Sequence, residues 1–225
     1  MLRRLKSSIF TRKRYLSTIP SFANVDPWSG MSPHRVQSLL QGKWLNQPKG
    51  IKKIFPDPLT GAPLLEVTEI DENEIEPFIK SLNSCPKTGL HNPLKSPERY
   101  IEYGNISAKA AAKMRKPEVM AFFTKLIQRV APKSEKQAYG EVAVTQKFIE
   151  NFSGDQVRFL ARGFSVPGDH AGQMSTGHRW PYGPVVIIAP FNFPLEIPLL
   201  QLMGALYMGN KVLLKVTTIA TAIVT

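Results

Sequence analysis

Two polar residues, Asn192 and Lys215, stand where two apolar segments of the sequence end, and they are well placed to contact a ligand. The β-branched run 185–189 precedes the first, and the apolar run 212–214 precedes the second. If the runs are neighbouring parallel strands, their carboxyl ends share one edge of a sheet, where ligands bind in α/β folds. By spacing alone, the plainer roles are favoured: a turn cap for Asn192 and a solvated strand end for Lys215.

The elements around these residues are predicted to form a strand–helix–strand unit. Val185 to Ala189, entered through a Gly-Pro turn, predicts a parallel strand buried on both faces, and Pro190 ends it. Pro194 fits the first turn of a leucine-rich helix that stops at Gly209-Asn210. Lys211 to Val216 then forms the second strand, so the whole segment is one βαβ unit.

The same segment raises the alternative of a membrane span. Val185 to Gly209 contains one charged residue, Glu196, and about 20 apolar residues suffice to cross a bilayer. Pro190, Pro194 and Pro198 argue against it, because three prolines at a spacing of four would leave backbone hydrogen bonds unmade in lipid. We therefore expect no integral membrane span.

Other residues that could carry chemistry are sparse. Cys85 is the single cysteine, which excludes an intramolecular disulfide and a cysteine-based zinc cage. The sequence contains neither a Gly-x-Gly-x-x-Gly nor a Walker loop, so no phosphate-binding motif points to a nucleotide. The histidines lack helical i, i+4 pairing and a neighbouring carboxylate cluster, so we expect no metal site. They are His34, His91, His170 and His178.

The net charge of +12 is concentrated at the amino terminus. Six basic residues lie within positions 1–14 and no acid precedes Asp26, so the rest of the chain, with 23 basic and 17 acidic residues, carries +6. This basic, serine-containing segment predicts a mitochondrial transit peptide over 1–23, with a disordered basic tail as the alternative. Its apolar stretches are too short for a secretory signal. The remaining charge forms no basic stripe with interleaved aromatics, which disfavours nucleic-acid binding.

The middle of the chain predicts structural elements rather than a ligand site. With 43% hydrophobic residues over 225 positions, the chain can bury a core. Short strands are predicted at 42–45, 51–55 and 64–67, and the apolar stripes that follow are typical of packed helices. Four helices are indicated by their capping signals, which are Asp71 with Glu74, Ser96 before Pro97, Pro117, and Ser134 with Gln137.

Several runs together resemble the aldehyde dehydrogenase superfamily. Pro190-Phe191-Asn192-Phe193-Pro194, followed by Gly-Asn-Lys-Val-Leu-Leu-Lys at 209–215, is similar to that family's first nucleotide-binding strand, helix and second strand. Phe191 stands where most members carry Trp. Longer runs more narrowly resemble the delta-1-pyrroline-5-carboxylate dehydrogenases of plant mitochondria, and these runs are 163–170, 179–181, 189–198 and 201–210.

The resemblance implies an α/β fold and a division of the chain into four parts. The N-terminal helical part of an aldehyde dehydrogenase fold is followed by the first βαβ unit of its Rossmann-like nucleotide-binding domain, which is incomplete. The implied parts are a mitochondrial transit peptide (1–23), an arm with helices and projecting strands (24–183), the βαβ unit (184–216) and a divergent tail (217–225).

The resemblance also implies an activity and the residues that serve it. The reaction would be the NAD-dependent oxidation of L-glutamate gamma-semialdehyde, the open form of pyrroline-5-carboxylate, to glutamate in the mitochondrial matrix during proline catabolism. By residue match, the side-chain amide of Asn192 would donate to the developing oxyanion. Lys215 would bind the adenosine ribose of NAD, with Pro190 and Phe191 also in the cofactor-binding set.

This chain departs from the family pattern at the nucleophile. The family's catalytic cysteine and activating glutamate lie downstream of the position of Lys215, and Cys85, at a predicted helix end upstream, matches neither. Residues 217–225 also leave the family pattern and are interpreted as a truncated or alternatively spliced end. Without a covalent centre, we expect no turnover by this chain alone.

Two functional hypotheses follow. In the first, the chain is a dehydrogenase portion that carries an oxyanion donor and part of a cofactor site for a small aldehyde. In the alternative, it is a non-catalytic regulatory module that docks on full-length homologous subunits through Gly163 to Arg179, which resembles the family's projecting oligomerisation strands. With only two strands in its sheet, the run Val185 to Ala189 should have a free edge and a partly uncovered face, so we expect weak stability and aggregation.

Overall fold

The computed structural model describes residues 33–45, 50–57 and 60–216. Within these ranges the chain forms nine short strands, five α-helices and one 3-10 helix, an α/β arrangement as the sequence predicts. The predicted transit peptide at 1–23 and the divergent tail at 217–225 lie outside the described residues. The strands are β1 (His34–Arg35), β2 (Ser38–Leu40), β3 (Lys43–Leu45), β4 (Lys52–Pro56), β5 (Pro63–Thr68), β6 (Phe164–Pro167), β7 (Met174–Gly177), β8 (Pro184–Ile188) and β9 (Lys211–Lys215).

The strands pair in four small sheets. β1, β5 and β4 form a three-stranded sheet in which β1 is parallel and β4 antiparallel to β5. β2 and β3 form a hairpin whose turn places Gln41 and Gly42 at positive φ, and β6 and β7 form a second hairpin. β8 and β9 are parallel. The strands predicted at 42–45, 51–55 and 64–67 are confirmed as β3, β4 and β5.

The helices begin where local capping chemistry allows. Asp71 accepts from the backbone N–H of Asn73 and Glu74 and forms the predicted capping box of the first helix. Ser134 and Gln137 form the second predicted box. The helices are α1 (Glu72–Asn83), α2 (Glu98–Met114), α3 (Pro117–Val130), α4 (Glu135–Glu150) and α5 (Glu196–Tyr207), and the 3-10 helix is Gly154–Ala161.

The predicted capping of α2 by Ser96 is wrong. The residue before α2 is Pro97, in helical conformation, and no side chain caps this end. The Asn92 side chain accepts from the N–H groups of Leu94 and Lys95, and the N–H of Ser96 donates to the carbonyl of Asn92. Ser96 is therefore part of a turn that continues directly into the helix. The residue that flanks the first helical residue, where an N-cap would lie, is Pro97.

The core lies where α2, α3, α4, α5 and the 3-10 helix meet. Its buried side chains are those of the apolar stripes, as the helical spacing predicts. A buried ion pair, Arg129 Nη2 to Asp57 Oδ2 at 2.8 Å, joins α3 to the chain after β4. The fully buried members of the core include Leu126, Ile127, Ala138, Val142 and Val157.

The strand–helix–strand unit is confirmed, with two corrections. β8 and β9 are parallel, α5 connects them, and Gly209 at φ +89° ends the helix as predicted. The helix begins at Glu196, so Pro194 lies in the preceding turn and not in the first helical turn. β8 is not buried on both faces: Val186 is 53% and Ile188 74% exposed, because the described elements cover one face only.

Within the same described ranges, no helix is long and apolar enough to cross a bilayer.

Candidate functional site

The four residues that the resemblance assigns to the site lie at one edge of the β8–β9 sheet. Pro190, Phe191 and Asn192 follow β8, and Lys215 is the last residue of β9. The register pairs Ile188 with Lys215, and the backbone N–H of Ala189 donates to the carbonyl of Lys215 at 3.0 Å. The topology thus brings both strand ends together, as expected for parallel strands.

The side chains at this edge are available to a ligand. Phe191, Asn192 and Lys215 are exposed and Pro190 is half-buried. In the described part of the chain, the amide of Asn192 has no hydrogen-bond partner, so it does not cap the turn that follows β8. The ammonium group of Lys215 likewise has none there. Both groups can therefore donate to an incoming molecule.

The loop that carries Asn192 is held by an acidic residue that the sequence analysis does not identify. Glu141, on α4, is 3% exposed. Its Oε1 accepts from the backbone N–H groups of Leu195 at 2.9 Å and Glu196 at 3.2 Å, at the start of α5. One signal for it existed in the sequence: Glu141 lies on the same helical face as Ala138, Val142 and Thr145, and a charge on a buried stripe requires a partner.

A basic residue completes this anchor. Lys133 Nζ lies 2.7 Å from Glu141 Oε2. In this ion pair the glutamate side chain is buried and the lysine side chain is half-buried. The same ammonium lies 3.9 Å from the centroid of the Phe193 ring, a cation–π contact next to Asn192 in the chain. Lys133 therefore contacts both the anchoring carboxylate and the loop itself.

The surroundings of the α5 start shift the pKa of Glu196. Burial raises the pKa of Glu196 above its ordinary value, and the nearby carboxylate of Glu141 raises it further, while Lys133 opposes the shift. Two acidic groups thus lie close together here, and the positive charge of Lys133 acts on both of them.

At the opposite end of the sheet, Asn210 joins the segment before β8 to the end of α5. Its Oδ1 accepts from the backbone N–H groups of Tyr182 at 2.7 Å and Gly183 at 3.0 Å. Its Nδ2 donates to the carbonyl of Ala205 at 2.9 Å. This buried amide fixes the start of β8 relative to α5. Because β8 is a short extended strand, fixing its start also places its carboxyl end.

The single cysteine lies apart from this edge. Cys85 lies just after α1, at a helix end as the sequence predicts. It is buried, and its thiol donates to the carbonyl of Pro86 at 3.5 Å. The described residues contain no group of three or more His, Cys, Asp or Glu side chains that could hold a metal ion.

Comparison with known proteins places this geometry in context. A family model described as "Aldehyde dehydrogenase family" matches residues 46–225. The chain is 62% identical over 208 residues to "Delta-1-pyrroline-5-carboxylate dehydrogenase 12A1, mitochondrial" of Arabidopsis thaliana, covering 92% of this chain and 37% of that protein. It is 59% identical to a "Probable aldehyde dehydrogenase" of Linum usitatissimum, covering 95% of this chain and 40% of that protein. The chain thus spans about two fifths of the length of these relatives.

A solved structure shares the fold. The structure of 3,6-anhydro-L-galactose dehydrogenase in complex with NAP superimposes with a TM-score of 0.66 at 26% sequence identity. The match covers 84% of this chain and 38% of that one. The arrangement of helices followed by a βαβ unit therefore corresponds to part of a known fold, and the predicted fold class is confirmed.

Proposed function

Because the chain belongs to the aldehyde dehydrogenase family, we propose that its βαβ edge supplies an oxyanion donor and part of a nicotinamide-cofactor site for the oxidation of glutamate semialdehyde. The observation that carries this proposal is the shared edge at which the amide of Asn192 and the ammonium of Lys215 lie, both without a hydrogen-bond partner among the residues that the structure describes. The choice of substrate is supported by the 62% identity to the Arabidopsis protein, whose name specifies pyrroline-5-carboxylate.

Each residue has a role that its surroundings support. Asn192 offers a neutral N–H donor on a loop anchored on its C-terminal side, which suits a developing negative charge on an aldehyde oxygen. Lys215 offers an exposed donor that fits the hydroxyl groups of a ribose, and Pro190 and Phe191 precede Asn192 in the loop that follows β8. NAD, when bound, supplies the hydride acceptor for the oxidation.

The proposal assigns no nucleophilic role to Cys85, because this buried thiol lies after α1 and not at the β8–β9 edge. Covalent catalysis needs a thiolate within reach of the aldehyde carbon. We therefore expect this polypeptide to bind ligands without turning over on its own.

Cofactor binding tests the proposal directly. We expect NAD to bind the purified chain weakly in an NMR titration, and Lys215→Met to weaken binding about ten-fold, since one hydrogen bond to a charged donor is lost. Lys211→Met is the matched control, because Lys211 is the first residue of β9, at the opposite end from Lys215, and donates to Ser84 Oγ. Equal loss in both variants, or stronger binding of NADP than of NAD, would contradict the assignment.

A turnover assay tests the role of the cysteine. With NAD and pyrroline-5-carboxylate, the chain alone should produce no NADH, and Cys85→Ser should behave identically. NADH formation that disappears in Cys85→Ser, or an acyl adduct on Cys85 detected by mass spectrometry, would overturn the proposal.

A location in the mitochondrial matrix is part of the proposal. It is supported by the basic, acid-free residues 1–14 and by the mitochondrial designation of the Arabidopsis relative. Import of the full chain into isolated mitochondria, lost when residues 1–23 are removed, is the expected result.

A regulatory role is the second candidate, and one observation favours it. The β6–β7 hairpin leaves the apolar side chains of Phe164, Val166 and Met174 exposed, as expected of a segment that docks on another subunit. The chain should then co-elute with the Arabidopsis enzyme, and the triple change of these residues to Ser should abolish co-elution. Ile106→Ser, at an exposed apolar position of α2, is the control.

A further inference from the structure

The helix that follows the candidate oxyanion donor has no cap of its own. α5 begins after Leu195, an apolar residue whose side chain accepts no hydrogen bond. The first N–H groups of any helix lack partners within the helix, and buried ones require an acceptor from elsewhere. Leu195 and Pro194 are both almost fully buried, so water does not readily serve these groups.

Glu141 supplies the missing acceptor from another helix. One carboxylate oxygen accepts from both Leu195 and Glu196, 54 and 55 residues along the chain. α4 has its own capping box at Ser134, so its own first turn does not depend on Glu141. A carboxylate at a helix N-terminus also interacts favourably with the helix dipole.

Lys133 balances the buried carboxylate and extends the anchor to the loop. The other oxygen of Glu141 pairs with the ammonium group at 2.7 Å. That ammonium faces the ring of Phe193, so residues 193 and 195 are both held, on either side of the buried Pro194. Asn192 is the next residue toward β8, and its loop is thus fixed on the C-terminal side by two contacts.

We propose that Lys133 and Glu141 are positioning residues that order the loop 190–195 and so hold the side-chain amide of Asn192 in place. The ordering of the loop stands on its own contacts, whereas its use in catalysis rests on the proposed function. The raised pKa of Glu196 agrees with this picture, because burial, and after it the nearby carboxylate of Glu141, raise it at the helix start.

Backbone hydrogen exchange in the full chain tests the anchor. In Glu141→Leu, exchange at the amides of Leu195 and Glu196 should rise about ten-fold or more relative to the core amide of Ile127, since a charge-assisted acceptor is lost. Glu141→Gln should raise it less, because its amide oxygen still accepts. Glu135→Gln, an exposed acid on the same helix, is the matched control and should change nothing.

Variants of Lys133 distinguish the effect of the ion pair from the effect of the hydrogen bonds that Glu141 accepts at the start of α5. Lys133→Met leaves a buried carboxylate without its counter-charge and should broaden the signals of the loop. Adding Glu141→Gln to Lys133→Met removes that charge and should partly restore them. If Glu141→Leu fails to fold, this rescue and Glu141→Gln alone still decide the question.

The readout that separates positioning from general stability is the side-chain amide of Asn192. Its 15N relaxation should report greater mobility in Lys133→Met and Glu141→Leu, while the amides of α3 stay unchanged. Uniform change across the chain, or an unchanged Asn192 signal with fast exchange at Leu195, would overturn the proposal. The experiment contains no NAD and no aldehyde, so failure of the proposed function leaves its outcome unaffected.

Discussion

At the scale of single residues, His91 is an unusual buried group. It is 4% exposed, and its ring lies edge-on to Tyr100 with centroids 4.6 Å apart. Among the described residues, neither ring nitrogen has a hydrogen-bond partner. A Cβ on Gly209 would come within 2.3 Å of the His91 Cβ, so the glycine at positive φ allows the close approach here.

The neutral imidazole of His91 should make stability depend on pH. Burial lowers the pKa of His91, Arg99 lowers it further, and Glu98 opposes the shift. Because the unfolded chain then binds the proton more readily than the folded chain, stability is complete above the ordinary pKa of about 6.5 and is lost as the pH falls below it.

Urea unfolding between neutral and acidic pH checks this dependence. His91→Leu should flatten the acid side of the stability profile, since no group then titrates at that position. His170→Gln, at an exposed histidine of the β6–β7 turn, should keep the profile of the parent chain. An unchanged acid loss in His91→Leu would show that other groups cause it.

At the scale of elements, both ends of α5 are fixed by side chains from outside the helix. Glu141 binds the start of the helix, and Asn210 binds its last turn and the segment before β8. Arg99 adds a third link, since its Nη2 donates to the carbonyl of Leu206 at 3.1 Å. The edge that carries Asn192 and Lys215 therefore depends on side chains that other elements contribute.

Asn210 should contribute strongly to stability. Asn210→Ala removes three hydrogen bonds and leaves buried N–H groups without an acceptor, which should cost about 2–3 kcal/mol of unfolding free energy. Chemical denaturation followed by circular dichroism measures it. Asn105→Ala, on the exposed face of α2, should cost nothing, and a similar loss in both variants would contradict the role of Asn210.

At the scale of the whole molecule, the described residues leave one face of β8 uncovered. The described residues pair β8 with β9 alone, and Val186 and Ile188 project from the uncovered face. Exposed apolar side chains next to a free strand edge favour association between molecules.

We expect the purified chain to associate in a concentration-dependent manner through this face. The double change Val186→Thr and Ile188→Thr should reduce association in sedimentation velocity, because it keeps β-branched residues and removes apolar surface. Ile101→Thr with Ile106→Thr, exposed on a helix without a free strand edge, is the control. Strong hydrogen-exchange protection throughout 185–216 in a monomer would contradict the expected weakness of this unit.

Much of the fold was predictable because its signals are local. The capping boxes at Asp71 and Ser134, the stop at Gly209 and the strands β3, β4 and β5 depend on neighbours within a few residues, and all are confirmed. The placement of Asn192 and Lys215 at strand ends followed from the same kind of pattern, whereas their roles came from resemblance and stay predictions. Ser96 failed as a cap because a turn built by Asn92 already includes it.

The sequence by itself determined the order of the strands β3 to β5, of the helices α1 to α4 and of the βαβ unit, and the family to which the chain belongs. Tertiary structure alone decided that Glu141 and Lys133 anchor the start of α5, and that Val186 and Ile188 are the β8 side chains on the face that the described residues leave uncovered. The reason is physical: helix and strand periodicity reflect interactions within a few residues. A carboxylate that meets a helix start 54 residues away, or a face without a covering layer, depends on how the elements pack.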